Sequence, residues 1–303
     1  MPETQPLIYA VVLNWNRAED TRACLASLAS ADYPALKTLV VDNGSDREQA
    51  QALEAEEFNA EVLWLDRNYG YAKGNNRGIQ YALEHGADFV LLLNNDTTVD
   101  PHMVSELVRA AGQGDSIGLV GPVIYYTDYP DRVWFAGMRF RHGLYVVRRG
   151  LHLKPPLAPT DEVDFISGCG MLIRRSVLER IGLFSTDYFM YYEDLDLCVR
   201  AQRAGFKLAC ATRACMWHAV SASTGGADSP LKQYYQVKSS LVFYRRHTRG
   251  IMYLINVVLR FGHAGWVTLG AVLRGRLRRE AIVYYLKGVR EAIAQTAVLD
   301  SGK

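Results

Sequence analysis

Two acidic clusters carry the chemistry this sequence could perform. The first closes the run Leu91-Leu92-Leu93-Asn94-Asn95-Asp96. The apolar stretch from Phe89 is too short for a buried helix, suits a central strand, and stops abruptly at three polar groups. Asp96 is therefore expected at the carboxyl end of a strand, the edge where open α/β sheets bind ligands. A carboxylate there can hold a divalent cation against a phosphate. Asn94 and Asn95 would present amides beside it, although Asn-Asn-Asp ahead of Thr97-Thr98 could equally be a plain turn. The second cluster, Glu193, Asp194 and Asp196, opens a predicted helix that Gly205 ends. First-turn carboxylates ordinarily complement the helix dipole. Three within four residues, directly behind Tyr191 and Tyr192, exceed that need, and a partly desolvated carboxylate can act as a general base toward a hydroxyl.

The elements that must position these groups follow from the apolar pattern. Strands are expected at Leu7 to Leu13, Leu36 to Val41, Glu61 to Leu65 and Phe89 to Leu93. Helices are expected at Asp20 to Leu28, from the Asp42-Asn43-Gly44-Ser45 turn to about Phe58, and at Asn75 to His85. Alternation of this kind implies an α/β fold with a mainly parallel sheet and helices on both faces. The strand endings Asn14-Trp15-Asn16 and Asp42-Asn43 would share one edge with Asp96. Asp42 could accept the imide N–H of a pyrimidine base, or the Asp-Asn-Gly-Ser sequence could be no more than a capped turn. Arg67 to Gly78 reads as a loop of glycines, amides and cations. There the glycines and amides, Gly70, Asn68 and Asn76 among them, suit close approach to a ribose or diphosphate, with Arg67, Lys73 or Arg77 available for charge. No Gly-x-Gly-x-x-Gly or Walker pattern occurs, which argues against dinucleotide dehydrogenases and P-loop enzymes.

Beyond Gly121 the texture becomes antiparallel, with short strands expected at Tyr125 to Tyr129, Arg132 to Phe140 and Leu144 to Val147 before the Lys154-Pro155-Pro156 loop. This stretch is assigned to the acceptor side or to a structural insertion. Gly168 and Cys169 lie in a small-residue segment suited to close backbone passage by a ligand, while Arg174 and Arg175 read as a solvated face. His218, past a strand at Phe206 to Ala211, could join Asp96 on a metal, contact a diphosphate, or be structural. Ser221 to Gly226 could form a loop that closes over a donor.

The 303 residues suffice for one large α/β domain with an appendage. From Leu241 to Glu291 there are ten Lys and Arg against two Glu, leaving 24 basic and 30 acidic residues in the rest of the chain. A basic tail seeks an anionic partner. Ile251 to Leu259 and Trp266 to Leu273 are apolar but interrupted by Arg260 and His263. This disfavours a membrane span and favours an amphipathic helical region, residues 245 to 290, on an anionic membrane surface rather than on nucleic acid. A helix packed on the catalytic domain, or a homodimer contact, is the alternative. The five scattered cysteines indicate a reducing compartment, and Cys210, Cys215 and His218 lack the paired spacing of a structural zinc site. Met1 to Pro6 is polar and leads straight into a strand, so no secretory signal is expected.

Taken in order, VVLNWNR from Val11, VDNGS from Val41, RNYGYAKGNNRG from Arg67, LLLNND from Leu91, SGCGMLIRR from Ser167, YFMYYEDLDLCVRAQRAG from Tyr188 and WHAVSAS from Trp217 resemble the inverting family-2 glycosyltransferases of GT-A fold, in a rhamnosyltransferase-like flavour. The resemblance implies a catalytic domain over residues 1 to 240 and a basic helical region over 241 to 303. It implies that Asp42 binds the nucleobase, with Asn14, Asn16, Asn43, Asn68, Gly70, Lys73, Asn76, Asn94 and Asn95 around the donor. It makes Asp96 and His218 the contacts of Mg²⁺ or Mn²⁺, and Asp194 the base beside Glu193. Asp196, Tyr192, Gly168 and Cys169 would support the acceptor side. The donor implied is dTDP-rhamnose, with UDP-sugars next. The acceptor is a glycan or lipid-linked hydroxyl in bacterial cell-surface polysaccharide synthesis, handled by a hexosyltransferase peripheral on the cytoplasmic face of the membrane. The rival classes are a nucleotidyltransferase, which should carry a basic glycine-rich loop where Asn14-Trp15-Asn16-Arg17 stands, and a non-catalytic nucleotide-sugar or membrane-binding module.

Overall fold

The computed structural model describes residues 5–53, 55–140, 143–146, 158–220, 229–273 and 279–301. The expected Lys154-Pro155-Pro156 and Ser221 to Gly226 loops lie outside these residues. The chain divides into two compact units. One comprises Met1–Arg139, Arg148–Thr186 and Asp194–Ser223; the other comprises Phe140–Val147, Asp187–Glu193 and Thr224–Lys303.

The first unit is built on a sheet whose amino-terminal half is parallel. β1 (Ile8–Asn14) pairs with β2 (Leu36–Asp42) and with β4 (Phe89–Asn94), and β2 pairs with β3 (Ala60–Trp64), all parallel. β1 and β4 are buried almost end to end because helices cover both faces, so they read as continuous apolar runs. Leu91 and Leu92 are fully enclosed, and truncating either should cost about 2–5 kcal/mol. That packing makes the strand ahead of Asp96 a rigid support.

β5 (Thr97–Val99) follows at once, then β6 (Ile117–Tyr126), β7 (Tyr129–Phe135), β8 (Thr160–Val163), β9 (Gly170–Arg174) and β10 (Lys207–His218). β9 lies antiparallel between β4 and β6, β6 pairs parallel with β10, and β5 and β8 pair antiparallel with β10. The order is β3-β2-β1-β4-β9-β6-β10-β5, with β7 on β6. The expected mainly parallel α/β sheet is present, and its far half interleaves antiparallel strands. Around it stand α1 (Ala18–Ala29), α2 (Arg47–Gln51), α3 (Gly70–Glu84), α4 (Met103–Ala111), α5 (Arg175–Ile181) and α6 (Glu193–Arg203).

Two differences from the sequence-based expectation matter. The Arg67 to Gly78 stretch is not one loop, because α3 begins at Gly70. Gly74 and Gly78, one helical turn apart, face the sheet. A Cβ at Gly78 would stand 2.4 Å from a Val11 methyl, and one at Gly74 would stand 2.7 Å from Leu13. These glycines let the helix lie close on β1 and β2, a packing reason that outweighs glycine's poor helix propensity. The second difference is β10. It does not stop at Ala211 but continues to His218, through a register irregularity between Ala211 and Cys215. Such a shift lets one strand serve two neighbours.

The second unit contains α7 (Pro230–His247), α8 (Gly250–Leu273) and α9 (Arg279–Ser301). α7 runs uninterrupted through the boundary expected at 240/241. Tyr234 and Lys238 on α7 bind Glu291 on α9, and Gly288 meets the Tyr234 carbonyl closely. Buried Asn256 on α8 accepts the Tyr145 N–H and donates to Gly143, which holds residues 143–145 as irregular chain instead of the expected strand. Among the described residues no helix is long and apolar enough to cross a membrane.

Candidate active site

Asp96 occupies the tight turn between β4 and β5, and pairing of β5 with β10 sets His218 opposite Thr97. The Ala219 N–H donates to the Asp96 carbonyl at 2.9 Å, and His218 Nε2 stands 3.1 Å from Asp96 Oδ1. Both side chains are buried. Burial alone would raise the Asp96 pKa. The hydrogen bond and charge of His218, then the backbone and Arg17, more than offset it, so the carboxyl lies below its ordinary value. For His218, burial works against the charged form, but the adjoining Cys169 sulfur and the Asp96 carboxylate outweigh it and push its pKa up to about 10. Trp134 meets the imidazole edge-on, with centroids 4.8 Å apart at 83°. Among the described residues, Asn94 Oδ1 and His218 Nδ1 are buried without hydrogen-bond partners.

Asp194 is held differently. It enters α6 behind Tyr191 and Tyr192, which sit at φ +66° and +69°. Two bulky residues in the left-handed region mark local strain, of the kind retained where geometry matters more than stability. Asp194 Oδ2 accepts the Gly168 N–H at 3.0 Å and Oδ1 accepts the Leu195 N–H at 2.8 Å. Burial raises its pKa, and these backbone donors only partly oppose that. The residue as a whole is nonetheless only partly buried. A Cβ on Gly168 would lie 3.1 Å from the Tyr71 hydroxyl and 3.2 Å from Asp194 Cβ, so only glycine fits without movement. Tyr71 in turn donates to the Gly168 carbonyl at 2.8 Å.

The two carboxylates meet through one short segment. Gly168 binds Asp194; the next residue, Cys169, accepts the Asn94 N–H at 3.2 Å and lies against His218. β9 leaves this segment paired with β4, Gly170 opposite Leu93.

The remaining predicted residues fall into groups. Asn14 donates to Asp42 Oδ2 at 2.7 Å and accepts from Thr21, while Asn95 donates to Thr21 at 3.0 Å. Asn16 exchanges two hydrogen bonds with Asp46. Asn43 links Asn68, Gly70 and the Tyr69 N–H, and Asn68 Oδ1 also accepts the Gly70 N–H. Asn76 clasps both backbone groups of Phe184. The amides of Asn14, Asn43, Asn76 and Asn95 are thus committed to tying the strand ends and helices together. Asp42 is buried and accepts from Asn14 and the Ser45 N–H. Lys73 stands exposed on α3. Asp196 is buried and binds Arg200, whose other nitrogens hold the carbonyls of Ile181 and Leu183. Glu193 is buried at the start of α6 and groups with the second unit, as does Tyr192.

The sequence profile of the family described as "Glycosyltransferase like family 2" matches residues 5–239. The chain belongs to this family. It is 30% identical over 222 residues to an N-acetylglucosaminyl-diphospho-decaprenol L-rhamnosyltransferase of Mycobacterium tuberculosis, covering 66% of this chain and 72% of that one. It is 24% identical over 292 residues to the dTDP-rhamnosyl transferase RfbF of Shigella flexneri, covering 93% and 95%. In structure it is similar to a mannosyltransferase of Pyrobaculum calidifontis solved with GDP-Man and Mn²⁺, at TM-score 0.60 and 15% identity over 98% of this chain and 87% of that one. This glycosyltransferase therefore has the GT-A fold. Two residues that the sequence did not single out join its site: Tyr71, which steadies Gly168, and Trp134, which walls His218. The only available signal was their place inside segments already marked for other reasons.

Proposed function

We propose that this glycosyltransferase transfers L-rhamnose from dTDP-rhamnose, with inversion, to a hydroxyl of a glycan or lipid-linked acceptor in cell-envelope polysaccharide synthesis. The observation that carries the reading is the Gly168-Cys169 bridge, which brings a carboxylate of raised pKa and a carboxylate of lowered pKa to one edge of the sheet. Groups tuned apart in this way suit different tasks in one reaction.

Asp194 serves as the base. As the acceptor oxygen bonds to the anomeric carbon, its proton passes to Asp194 and the bond from that carbon to the nucleoside diphosphate breaks on the opposite face. Gly168 and Leu195 aim the carboxylate through their N–H groups. Asp42 accepts the imide N–H of thymine through lone pairs that Asn14 and Ser45 leave open. Lys73 and Asn94 are the further donor contacts. The committed amides of Asn14, Asn43, Asn76 and Asn95 shape the pocket from behind.

The donor set at the other corner fits a divalent cation. A carboxylate and a neutral imidazole are ligands acceptable to Mg²⁺ or Mn²⁺, and His218 would have to release the proton it shares with Asp96 to serve as one. Asp96 and His218 would hold it, and when bound it would supply the positive charge that neutralises the departing diphosphate. The exposed apolar residues of α8 and α9, flanked by arginines, support placement on an anionic membrane surface.

Uracil presents the same imide to Asp42, so a UDP-sugar is the second reading. Metal-dependent turnover of dTDP-rhamnose against a panel of UDP-sugars decides between them. Preferential use of dTDP-rhamnose, abolished by EDTA, is expected; turnover of UDP-sugars alone would assign the donor to the second reading.

A further inference from the structure

Among the described residues, the helical unit encloses a group of hydrogen-bond donors that outnumber the acceptors beside them. Arg260 on α8 reaches Ser240 on α7 through Nε at 3.3 Å, while its Nη2 is buried without a hydrogen-bond partner. Among the described residues no carboxylate pairs with Arg260. The Tyr285 ring of α9 lies 6.0 Å from the guanidinium, and the Tyr285 hydroxyl is likewise buried and unpartnered. The Tyr192 and Tyr244 hydroxyls are 3.5 Å apart, so one can donate to the other and one O–H is left over. Tyr285 interacts electrostatically with both Arg260 and Tyr192, so the Arg260–Tyr285 pair and the Tyr192–Tyr244 pair are neighbours. Unpaired buried donors are costly, and a cluster of them without an acceptor is the complement of an oxyanion.

What lies beside the cluster narrows the class of anion. Arg260 and Tyr285 are themselves partly exposed. Their chain neighbours are exposed and apolar: Leu259 and Phe261 at 44% and 39%, and Leu286 at 60%. α8 carries no acidic residue. A charged head could therefore reach the donors while an attached hydrocarbon chain lies on the apolar face. Arginine with several hydroxyls matches the many acceptor oxygens of a phosphate better than the two of a carboxylate.

We propose that Arg260, Tyr285 and the Tyr192–Tyr244 pair form a binding site for the phosphate or diphosphate ester of a lipid, whose chain runs along the exposed face of α8 and α9. The inference deepens the reading of a lipid-linked acceptor given above and rests on it.

The test is a binding measurement and so stands apart from the choice of donor sugar. The full chain, with its nucleotide site saturated by dTDP, is titrated calorimetrically with farnesyl diphosphate, with farnesol, and with vesicles of phosphatidylglycerol or phosphatidylcholine. The inference expects farnesyl diphosphate to bind at least tenfold more tightly than farnesol. Arg260→Gln should erase that advantage. Tyr285→Phe, which removes only an unpartnered hydroxyl and keeps the fold, should weaken it about fivefold or more. If the Arg260 and Tyr285 dependence appears only with phosphatidylglycerol vesicles, the phosphate site stands and its lipid is a bulk phospholipid. Equal binding of farnesyl diphosphate and farnesol, or an advantage untouched by both substitutions, would overturn it. Failure here with dTDP-rhamnose turnover intact would leave the enzymatic reading standing.

Discussion

Asp96 and Asp194 are both largely enclosed carboxylates at the same sheet edge, yet their surroundings drive them in opposite directions. Asp96 faces the His218 imidazole, whose hydrogen bond and charge outweigh burial and lower the carboxyl pKa. Asp194 faces two backbone N–H groups and, among the described residues, pairs with no cation, and burial lifts its pKa. The first arrangement favours the ionised carboxylate, which suits the cation site proposed for it. The second keeps a carboxylate willing to take a proton, which is what a base needs. Chemical identity is the same at both positions, and the neighbours shift the two pKa values in opposite directions.

The sharpest way to break this comparison is to neutralise each partner in turn. Asp194→Asn should lower kcat by about 10²- to 10⁴-fold, the usual range for a lost general base, with the donor KM nearly unchanged. Asp96→Asn should instead raise the metal concentration needed for half-maximal rate and the donor KM together, which a metal titration of the initial rate measures. Gly168→Ala is the next step down. Its Cβ would crowd Tyr71 and Asp194, so kcat should fall about tenfold while unfolding free energy drops by about 1–3 kcal/mol, as overpacking typically does. Gly78→Ala should cost a similar 1–3 kcal/mol in denaturant unfolding with kcat unchanged once folded, since its contacts are with Val11 and Val41 and not with the site.

Stability gives the smallest effect, with a defined sign. The folded-state pKa of Asp194 lies above its unfolded value, so the folded protein holds the extra proton between the two. Its contribution to stability is therefore fully present below the unfolded value of about 3.9 and is lost as pH rises through the folded pKa. Asp194→Asn should flatten that part of the stability profile, measured by denaturation at several pH values.

Much of this site was legible in the sequence because its parts coincide with strong local signals. Asp96 follows an unmistakable buried strand, and α6 starts at the carboxylates and ends just before Gly205, as its caps require. What the sequence hid came from long-range packing. The expected helix starts only at Asn75, because propensity disfavours Gly70 and Gly74 in a helix, whereas the spacing of Gly70, Gly74 and Gly78 by about one turn fits a helix pressed on a sheet. β6 is a central strand, yet it was read only from Tyr125 onward because Gly118, Gly121 and Pro122 interrupt its apolar run. His218 reaches Asp96 through an irregularity in β10 that no periodicity reports. The asparagines looked like ligands because strand-end amides are suited to that role; whether an amide faces outward or ties down a neighbouring strand depends on contacts dozens of residues away.

The central claim is that Asp194 takes the acceptor's proton while Asp96 does not. The pH dependence of kcat/KM tests it directly, measured for the native chain and for the residual activities of Asp194→Asn and Asp96→Asn. The account predicts an acid limb above the ordinary aspartate range near 3.9, with rate rising as pH increases through it. That limb should persist in Asp96→Asn and vanish in Asp194→Asn. An acid limb that survives unchanged in Asp194→Asn would contradict it.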